Sequence, residues 1–241
     1  MNKIYIFDVD GTLTPSRQKM TEEFKNFFHS WSEKNFFFLV SGSDLPKLQE
    51  QIDDSVMNSA LGVFCCAGNT LYINNELQYD NEFNPPDNLI EYLKHQLEIA
   101  EFLPRCGNHI ENRGSMVNFS IVGRDCSLEK RKMYFEYDNK EGERKKIAET
   151  INNKWPELEA TIGGQISIDI YPKGMDKSQV LNVIEQERLI PPSEYIFIGD
   201  GIENGGNDYP LAELMDNTET CDWYHTKGWE HTKEILESLN D

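Results

Sequence analysis

The sequence predicts an α/β fold whose core is a doubly wound, mostly parallel, Rossmann-like sheet. Short apolar runs rich in β-branched and aromatic residues, typical of strands buried on both faces, recur at residues 3–7, 36–40, 61–66 and 195–198. Amphipathic helical patterns lie between several of these runs, as expected for strands joined by crossover helices. The first and last runs both end in aspartate close to glycine. Polar side chains at the carboxyl ends of strands mark the edge where such folds bind ligands.

Turn-forming residues and a change of charge indicate an α+β domain inserted into this core. Asn84-Pro85-Pro86-Asp87 interrupts the chain on one side, and Gly174-Met175-Asp176 does so on the other. Between residues 105 and 146, ten basic residues outnumber seven acidic ones, although the whole chain has a net charge of −19. We therefore expect a core domain made of residues 1–80 and 177–241, and an inserted domain made of residues 81–176.

The overall composition excludes several classes of partner. The chain has 42 acidic and 23 basic residues, which argues against binding to nucleic acid or to an anionic membrane. No apolar run approaches the length of a membrane-spanning helix, and none has signal-peptide length at the N-terminus. The five cysteines include an adjacent pair and have no metal-ligand spacing, which favours free thiols in a reducing compartment. We expect a soluble, cytoplasmic protein.

The end of the first predicted strand carries two carboxylates, Asp8 and Asp10, followed by Gly11. Residues two apart in an extended chain face the same side, so these carboxylates should repel each other. A hard cation bound between them would relieve the repulsion. The alternative is a turn whose aspartates cap a helix. We consider it weaker, because two carboxylates directly after a buried strand are costly without a function.

The next elements follow from local patterns. A helix over residues 21–34 presents a core face of Phe24, Phe27, Phe28 and Trp31. The second strand ends in Ser41-Gly42-Ser43-Asp44, and the helix after it starts at Leu45-Pro46. This segment can cap the helix, bind an anion through its backbone N–H groups, or do both. A hairpin over residues 70–78 and a helix over residues 88–102 follow.

Five of the seven arginines lie between residues 105 and 146. Arginine binds phosphate bidentately, so we place substrate recognition in this stretch. A helix with a charged solvent face is the alternative, and it accounts for Lys140, Arg144, Lys145 and Lys146. It accounts less well for Arg113 and Arg124, which flank the strand-like residues 116–123. Arg17, in the loop after the aspartates, is equally consistent with a solvated charge and with a functional one.

Residues 166–171 alternate strictly between isoleucine and other side chains, so Ser167 and Asp169 share one face of a predicted strand. That face is either exposed to solvent or able to bind sugar hydroxyls. Asp176 is a candidate N-cap for the next helix. Lys177 then lies in the first helical turn, where the helix dipole disfavours a cation, so we expect an anionic neighbour.

The last predicted strand ends in Gly199-Asp200, and Gly205-Gly206-Asn207-Asp208 follows. A carboxylate at the end of a strand with glycines nearby repeats the design of Asp8, Asp10 and Gly11. The glycines allow a close backbone approach, and the carboxylates offer oxygen ligands for a cation. A helix over residues 230–239 completes the prediction.

The run from Asp8 to Thr14, Asp-Val-Asp-Gly-Thr-Leu-Thr, resembles motif I of the haloacid dehalogenase superfamily of phosphotransferases. Ser41, Lys177 and Asp200 match motifs II, III and IV in the same order. The resemblance implies that Asp8 is a nucleophile that becomes an aspartyl phosphate, and that Asp10 is the general acid/base. It also implies that Ser41 and Gly42 bind the transferred phosphate. The implied ligands of Mg²⁺ are Asp8, Asp10 through its backbone carbonyl, Asp200 and Asp208.

The rest of the chain is similar to the eukaryotic-type α-phosphomannomutases. Arg17 stands in a Thr-x-x-Arg-Gln run, and residues 163–169 read Gly-Gly-Gln-Ile-Ser-Ile-Asp. The substrate-binding residues implied by this similarity are Arg17, Arg113, Arg124, Arg131, Ser167 and Asp169. Motif IV departs from the family's usual Gly-Asp-Lys-Thr, because Gly201 and Ile202 follow Asp200.

The similarity implies an isomerase that interconverts mannose 6-phosphate and mannose 1-phosphate, a step towards GDP-mannose. The reaction would pass through a hexose 1,6-bisphosphate, which also serves as activator. The family further implies a homodimer formed through the inserted cap domain. A Mg²⁺-dependent sugar-phosphate phosphatase on the same scaffold remains an alternative. A catalytically inactive binding protein is a second alternative, and the intact Asp8, Asp10, Lys177 and Asp200 argue against it.

Overall fold

The computed structural model describes residues 3–186 and 194–239 and divides the chain into two compact units. The core unit comprises the residues up to Asp80, Asp176–Asn204 and the residues from Asp208 onwards. The inserted unit comprises Asn81–Met175, together with Gly205–Asn207. At the two ends of the insertion, the Asn81 side-chain nitrogen lies 3.9 Å from the Met175 sulfur.

A seven-stranded sheet organises the core unit. Its strands, numbered along the chain, are β1 (Lys3–Asp8), β2 (Phe36–Val40), β3 (Gly62–Cys65), β4 (Thr70–Ile73), β5 (Glu76–Asp80), β10 (Glu194–Gly199) and β11 (Cys221–His225). Their spatial order is β11-β10-β1-β2-β3-β4-β5, and the first five in this order pair in parallel. The strands β4 and β5 form an antiparallel hairpin at one edge. The predicted α/β fold with a mostly parallel sheet is confirmed.

The register of this sheet brings the ends of three strands to one edge. Phe7 of β1 pairs with Ile198 of β10, and Asp8 pairs with Val40 of β2. Asp8 therefore lies level with the last residues of both neighbouring strands. Asp200 and Ser41 are the residues that follow those strands, so the sheet places them beside Asp8.

Helices of the core unit are α1 (Glu22–Ser32), α2 (Leu45–Gln51), α3 (Asp54–Ser59), α7 (Gln179–Gln186), α8 (Tyr209–Asp216) and α9 (Trp229–Leu239). The helix predicted over residues 21–34 is present as α1, and the hydroxyl of Thr21 caps it by accepting a hydrogen bond from the Phe24 N–H. Phe28 and Trp31 on the buried face of α1 make edge-to-face contacts with Phe7. These contacts fix α1 against the strand that carries the two aspartates.

The predicted start of α7 is wrong by two residues. Asp176 accepts a hydrogen bond from the Ser178 N–H at 2.7 Å, two residues along the chain, and so stabilises a turn. Lys177 lies in this turn, and α7 begins only at Gln179. The buried side chains Val180 and Ile184 nevertheless pack into the apolar cluster beneath the sheet, as their spacing predicts.

The inserted unit contains a four-stranded antiparallel sheet and three helices. Its elements are α4 (Asp87–Ile99), β6 (Ile110–Asn112), β7 (Val117–Phe119), α5 (Leu128–Glu141), α6 (Glu143–Lys154), β8 (Leu158–Gly163) and β9 (Ser167–Pro172), with strand order β6-β7-β9-β8. Val117, Phe119, Ile168 and Ile170 contribute to one apolar core with Leu89 of α4. The alternation predicted for β9 is therefore confirmed.

The other face of this sheet carries a polar cross-strand row. Glu111 pairs with Asn118, Asn118 pairs with Asp169, and Asp169 pairs with Thr161. Ser167 and Asp169 are each only 4% exposed. The interpretation that they merely face solvent is wrong, because neighbouring side chains of the unit cover them.

Several short elements escaped prediction, among them α3, β6, β8, α8 and β11, which span three to eight residues each. The edge strand β11 has only half-buried and exposed residues, so its sequence lacks a clear apolar run. Cys65, Cys106, Cys126 and Cys221 carry thiols, as expected. Within residues 3–186 and 194–239, no helix combines the length and apolar character that crossing a membrane requires.

Candidate active site

The centre of the candidate site is a buried lysine between two aspartates. The Lys177 ammonium donates hydrogen bonds to Oδ1 of Asp8 at 2.6 Å and to Oδ1 of Asp208 at 2.5 Å. Lys177 and Asp208 are completely buried, and Asp8 is 3% exposed. The second oxygen of Asp8 accepts a hydrogen bond from the Thr12 hydroxyl at 3.1 Å. The anionic neighbour predicted for Lys177 is thus present twice.

The environment shifts the ionisation of both partners. Burial and the charge of Asp208 raise the pKa of Asp8 to about 7, although Lys177 acts in the opposite direction. Burial alone would lower the pKa of Lys177, but the charges of Asp208 and Asp8 outweigh it and raise that pKa. The lysine therefore stays protonated.

Asp200 completes a group of three carboxylates. One oxygen each of Asp8, Asp200 and Asp208 lie within 4.8 Å of one another. Asp200 is exposed as a residue, but neighbouring atoms exclude water from its carboxyl group. This desolvation and the charges of Asp8 and Asp208 raise the pKa of Asp200 well above the usual range. Gly11 makes this approach possible, because a Cβ there would lie 2.2 Å from Oδ2 of Asp200 and its φ is +87°.

These three residues fit a hard divalent cation. They offer only carboxylate oxygens, the donor type that Mg²⁺ prefers, and Lys177 is the only cation bonded to them among the described residues. Burial first, and then the neighbouring negative charges, raise the pKa values of Asp8 and Asp200, and a bound cation would relieve the repulsion between these charges. The Asp10 carboxylate lies outside this group of three.

The carboxylate of Asp10 is held on one oxygen from two sides. Its Oδ1 accepts a hydrogen bond from the Arg17 N–H at 2.7 Å and another from the Gln51 side-chain nitrogen at 2.9 Å. Arg17 has φ +56°, an unusual value for a residue other than glycine. The loop that carries Arg17 is thus tied through its main chain to Asp10.

The loop after β2 shows how the predicted phosphate-binding residues are placed. Ser41 is buried, its N–H bonds to the carbonyl of Phe64, and its hydroxyl accepts a hydrogen bond from the Ser43 N–H at 3.0 Å. Asp44 caps α2 through the Lys47 N–H, which confirms the capping interpretation. Gly42 is half-buried. Phosphate binding by Ser41 and Gly42 stays a prediction.

Two of the predicted substrate arginines in the inserted unit share one carboxylate. Arg113 donates from Nε and Nη2 to Oε2 of Glu111, at 2.9 and 2.6 Å. The Nε of Arg124 lies 3.6 Å from the same oxygen, and its Nη1 donates to the Ser167 hydroxyl at 2.8 Å. Glu111 therefore brings both guanidinium groups and Ser167 into one polar cluster.

Asp169 lies beside this cluster in a tight space. Its Oδ1 accepts a hydrogen bond from the Asn118 amide at 2.5 Å. A Cβ on Gly163 would approach its Oδ2 to 2.5 Å, so glycine is required there. Arg131 donates to the main-chain carbonyls of Cys126 and Arg124, and so fixes the loop before α5.

Arg144 contradicts its predicted place on a solvent-exposed helix face. Its Nε donates to Oδ2 of Asp138 at 2.7 Å, and its Nη1 donates to the carbonyls of Gly164 and Ser167. The residue is 3% exposed. The sequence did not indicate this burial, because Arg144 stands next to Lys145 and Lys146, and a run of charged residues is typical of an exposed helix face. Lys140, Lys145 and Lys146 are exposed, as predicted.

Sequence reasoning missed the residues that hold the predicted ones in place: Gln51, Glu111, Asn118 and Arg144. The sequence could have indicated Glu111, because it stands two residues before Arg113, and residues two apart in an extended chain face the same side. Gln51 has none, because it lies 41 residues from Asp10 and meets it only through the fold. The predicted residues themselves divide between the units, with Arg17, Asp8, Asp10, Asp200 and Asp208 in the core unit and Asp169 in the inserted unit.

Comparisons with known proteins agree with this arrangement. The sequence model of the eukaryotic phosphomannomutase family matches residues 24–240 of this chain. The phosphomannomutase of Encephalitozoon cuniculi is 37% identical over 227 residues, which cover 88% of this chain and 85% of that protein. The phosphomannomutase of Dendrobium officinale is 35% identical over 218 residues, which cover 87% and 84%.

Solved structures support the fold. A haloacid dehalogenase-like hydrolase from Bacteroides thetaiotaomicron aligns with a TM-score of 0.60 at 15% identity, over 99% of this chain and 100% of that one. At this identity the likeness establishes the fold alone. Together with the family match over most of the sequence, it leads to one conclusion: the chain belongs to the eukaryotic phosphomannomutase family, on a haloacid dehalogenase fold.

Proposed function

We propose that this chain is a phosphomannomutase that interconverts mannose 6-phosphate and mannose 1-phosphate through an aspartyl phosphate and a hexose 1,6-bisphosphate. The observation that supports it most is the buried Asp8, held by Lys177 at 2.6 Å within a group of three carboxylates. A structural ion pair needs only one carboxylate for its lysine. The excess of negative charge is better explained by a site that takes up a cation, which in turn would attract a phosphate.

In the proposed reaction, a carboxylate oxygen of Asp8 attacks phosphorus. The bond from phosphorus to the sugar oxygen breaks as the bond to Asp8 forms, and Asp10 gives its proton to the departing oxygen. In the return step, Asp10 takes the proton of the incoming sugar hydroxyl as the phosphoryl group leaves Asp8. Lys177 offsets the charge around Asp8, and Ser41 and Gly42 bind the transferred phosphate.

The residues that would hold Mg²⁺ are Asp8, Asp200 and Asp208 through their carboxylates, and Asp10 through its main-chain carbonyl. The ion would offset negative charge on the reacting phosphate. Both oxygens of Asp208 also accept hydrogen bonds, from Lys177 and from the Gly201 N–H. Asp208 thus has two proposed tasks, since it orients the lysine as well as completing the ligand set.

A mutase must also bind the phosphate that does not react. We assign this distal phosphate to Arg113, Arg124 and Arg131, and the sugar hydroxyls to Ser167 and Asp169. Arg17 is a further proposed substrate-binding residue. The support is the cluster around Glu111, which presents two arginines side by side with Ser167. Arginines held in advance lose less conformational freedom when they bind a ligand.

Product analysis tests this function directly. The purified protein is supplied with mannose 1-phosphate, Mg²⁺ and a trace of hexose 1,6-bisphosphate, and the products are followed by ³¹P NMR. We expect mannose 6-phosphate, formed only when the bisphosphate is present. Release of inorganic phosphate in its place would support the alternative, a sugar-phosphate phosphatase, and would contradict the mutase.

The proposal includes a cytoplasmic location and a homodimer formed through the inserted unit. Sedimentation at the 27.9 kDa monomer mass would contradict the dimer.

A further inference from the structure

The proposed acid/base, Asp10, has an orientation that two other residues impose. Both hydrogen bonds that the structure gives to its carboxylate within the described residues end on Oδ1, from the Arg17 N–H and from Gln51. Asp10 is half-buried, whereas Gln51 is 3% exposed. The carboxylate is therefore held from its buried side, and Oδ2 is the oxygen left to face a substrate.

The contact with Asp10 leaves the other end of the buried Gln51 amide without a hydrogen bond among the described residues. Its amide oxygen is buried and accepts no hydrogen bond from the described part of the chain. A buried acceptor without a donor destabilises the folded state. A carboxylate accepts hydrogen bonds and an ionised one cannot donate, so the amide nitrogen has to face Asp10 and the amide oxygen has to face away. The side chain is placed for Asp10 and not for its own hydrogen bonding.

The main chain around Gln51 fixes its position further. Gln51 is the last residue of α2, and its carbonyl accepts a hydrogen bond from the Met20 N–H at 2.8 Å. The same helix begins directly after the loop of Ser41 and Gly42. The helix α2 therefore connects the loop of the residues proposed to bind the transferred phosphate to the residue that holds Asp10.

We propose that Gln51 is a positioning residue for proton transfer. It fixes Oδ1 of Asp10 so that Oδ2 points to the oxygen that joins sugar and phosphorus. This inference rests on the proposed function, in which Asp10 gives a proton to that oxygen and later takes one from the incoming hydroxyl. Proton transfer depends on distance and direction, so a carboxylate released from Gln51 spends less time in the productive orientation.

The test uses two substrates that differ in their need for a proton. A hexose leaves phosphorus as a poor leaving group and requires protonation, whereas p-nitrophenolate leaves without it. Two variants remove the donor with little change in size: Gln51→Met and Gln51→Leu. We expect kcat/KM for the hexose phosphate to fall about ten- to hundredfold in both, within the range of general acid/base catalysis. For p-nitrophenyl phosphate we expect a change of less than about threefold.

Stability provides the second measurement. Because the amide oxygen of Gln51 lacks a donor, Gln51→Met should melt at the temperature of the wild type or above it, even as hexose turnover falls. The matched control is Gln78→Met, at an exposed glutamine of β5, which should change neither activity. In an Asp10→Asn background, adding Gln51→Met should cause no further loss, because two residues that act through one group are not additive.

Equal losses on both substrates, or losses that multiply in the Asp10→Asn background, would show that Gln51 only supports the fold and would overturn the inference. If Gln51→Met does not fold, Gln51→Leu, which also lacks a donor, decides by the same ratio. Failure of the proposed function looks different. In that case the wild type would not isomerise hexose phosphate, or Asp10→Asn would retain full activity.

Discussion

The two units both bury charged side chains against a sheet, but they balance those charges in opposite ways. In the core unit, Asp8, Asp200 and Asp208 surround one ammonium group, that of Lys177. In the inserted unit, Arg144 pairs with Asp138, whereas Arg113 and Arg124 share the carboxylate of Glu111. The core site therefore has more negative than positive charge. In the inserted unit, hydrogen bonds to carboxylates hold the arginine side chains in position.

This difference has an energetic meaning. A carboxylate whose pKa is raised destabilises the folded state when it is ionised, so the core site is a weak point of the empty protein. A buried ion pair is costly to break, because removing one partner leaves the other charged and buried. Perturbing the core site should therefore act mainly on activity, and perturbing the buried pair of the inserted unit should act mainly on stability.

The largest expected effect is that of Asp8→Asn. An amide cannot form the phosphoenzyme, so turnover should fall at least about a thousandfold, as expected for the loss of a nucleophile. The fold should remain, because asparagine has the same shape and can accept the Lys177 hydrogen bond. Steady-state kinetics and circular dichroism on one preparation measure both quantities. Activity near that of the wild type would rule out the covalent mechanism.

The second prediction concerns pH and metal. In EDTA, the unfolded chain loses the Asp8 proton near pH 4, whereas the folded protein keeps it until about pH 7. The folded state binds more protons in this window, so the contribution of Asp8 to stability falls as pH rises through it. Between pH 5 and pH 8 the loss should be roughly 3 kcal/mol, estimated at 1.36 kcal/mol per pKa unit.

Urea unfolding of the wild type and of Asp8→Asn, both in EDTA, isolates this contribution, because the variant lacks the titrating group. At pH 8, Mg²⁺ should stabilise the wild type more than the variant. The same EDTA treatment should abolish turnover, and Mg²⁺ should restore it. Parallel pH curves for the two proteins, or full activity after exhaustive chelation, would contradict the assignment of the carboxylate group.

The third prediction tests the balanced charges of the inserted unit. Arg144→Met leaves Asp138 buried without its partner and should lower the free energy of unfolding by about 3 kcal/mol. Adding Asp138→Asn should recover part of the loss. Lys145→Met, at an exposed neighbour on the same helix, is the control and should change stability by less than about 0.5 kcal/mol. If Arg144→Met and Lys145→Met lowered the free energy of unfolding equally, the buried pair would contribute no more to stability than an exposed lysine.

The smallest expected effect separates a mutase from a phosphatase. Arg124→Ala should lower kcat/KM for the hexose phosphate about ten- to hundredfold, because a charge-assisted hydrogen bond contributes about 1.5–3 kcal/mol. Hydrolysis of p-nitrophenyl phosphate, which has no distal phosphate, should be spared. Both activities are measured on the same preparation. If both fall equally, Arg124 supports the fold, and the assignment of the distal phosphate has to be abandoned.

The sequence predicted the parts of the molecule whose chemistry is local. The strand that ends at Asp8 is apolar and short, and the cap formed by Asp44 acts within one helical turn. An anionic neighbour of Lys177 was predicted as a class, from a cation placed close to a predicted helix. The residues around Lys177 do not identify that neighbour, since Asp8 lies 169 residues away and Asp208 lies 31 residues away.

Contacts that depend on three-dimensional packing were not predictable. The burial of Arg144 follows from Asp138 and from the carbonyl groups of Gly164 and Ser167, which no periodicity reveals. Gln51 reaches Asp10 because α2 ends beside β1, and nothing in its neighbourhood distinguishes it from a surface glutamine. The predicted residues carry reactive groups, whereas the missed ones mainly orient those groups.

The strand order of the core unit also determines the order in which the protein can mature on the ribosome. Residues of β1 are made first, but one of the two strands that flank it, β10, begins only at Glu194, after the whole inserted unit. At about 5–20 residues per second, β1 waits roughly ten to forty seconds for this neighbour. During that interval one apolar edge of β1 is unpaired, and such an edge is a site for chaperone binding or aggregation. The nucleophile and its lysine meet only at the end, so a partly made chain has no assembled site with which to capture phosphate.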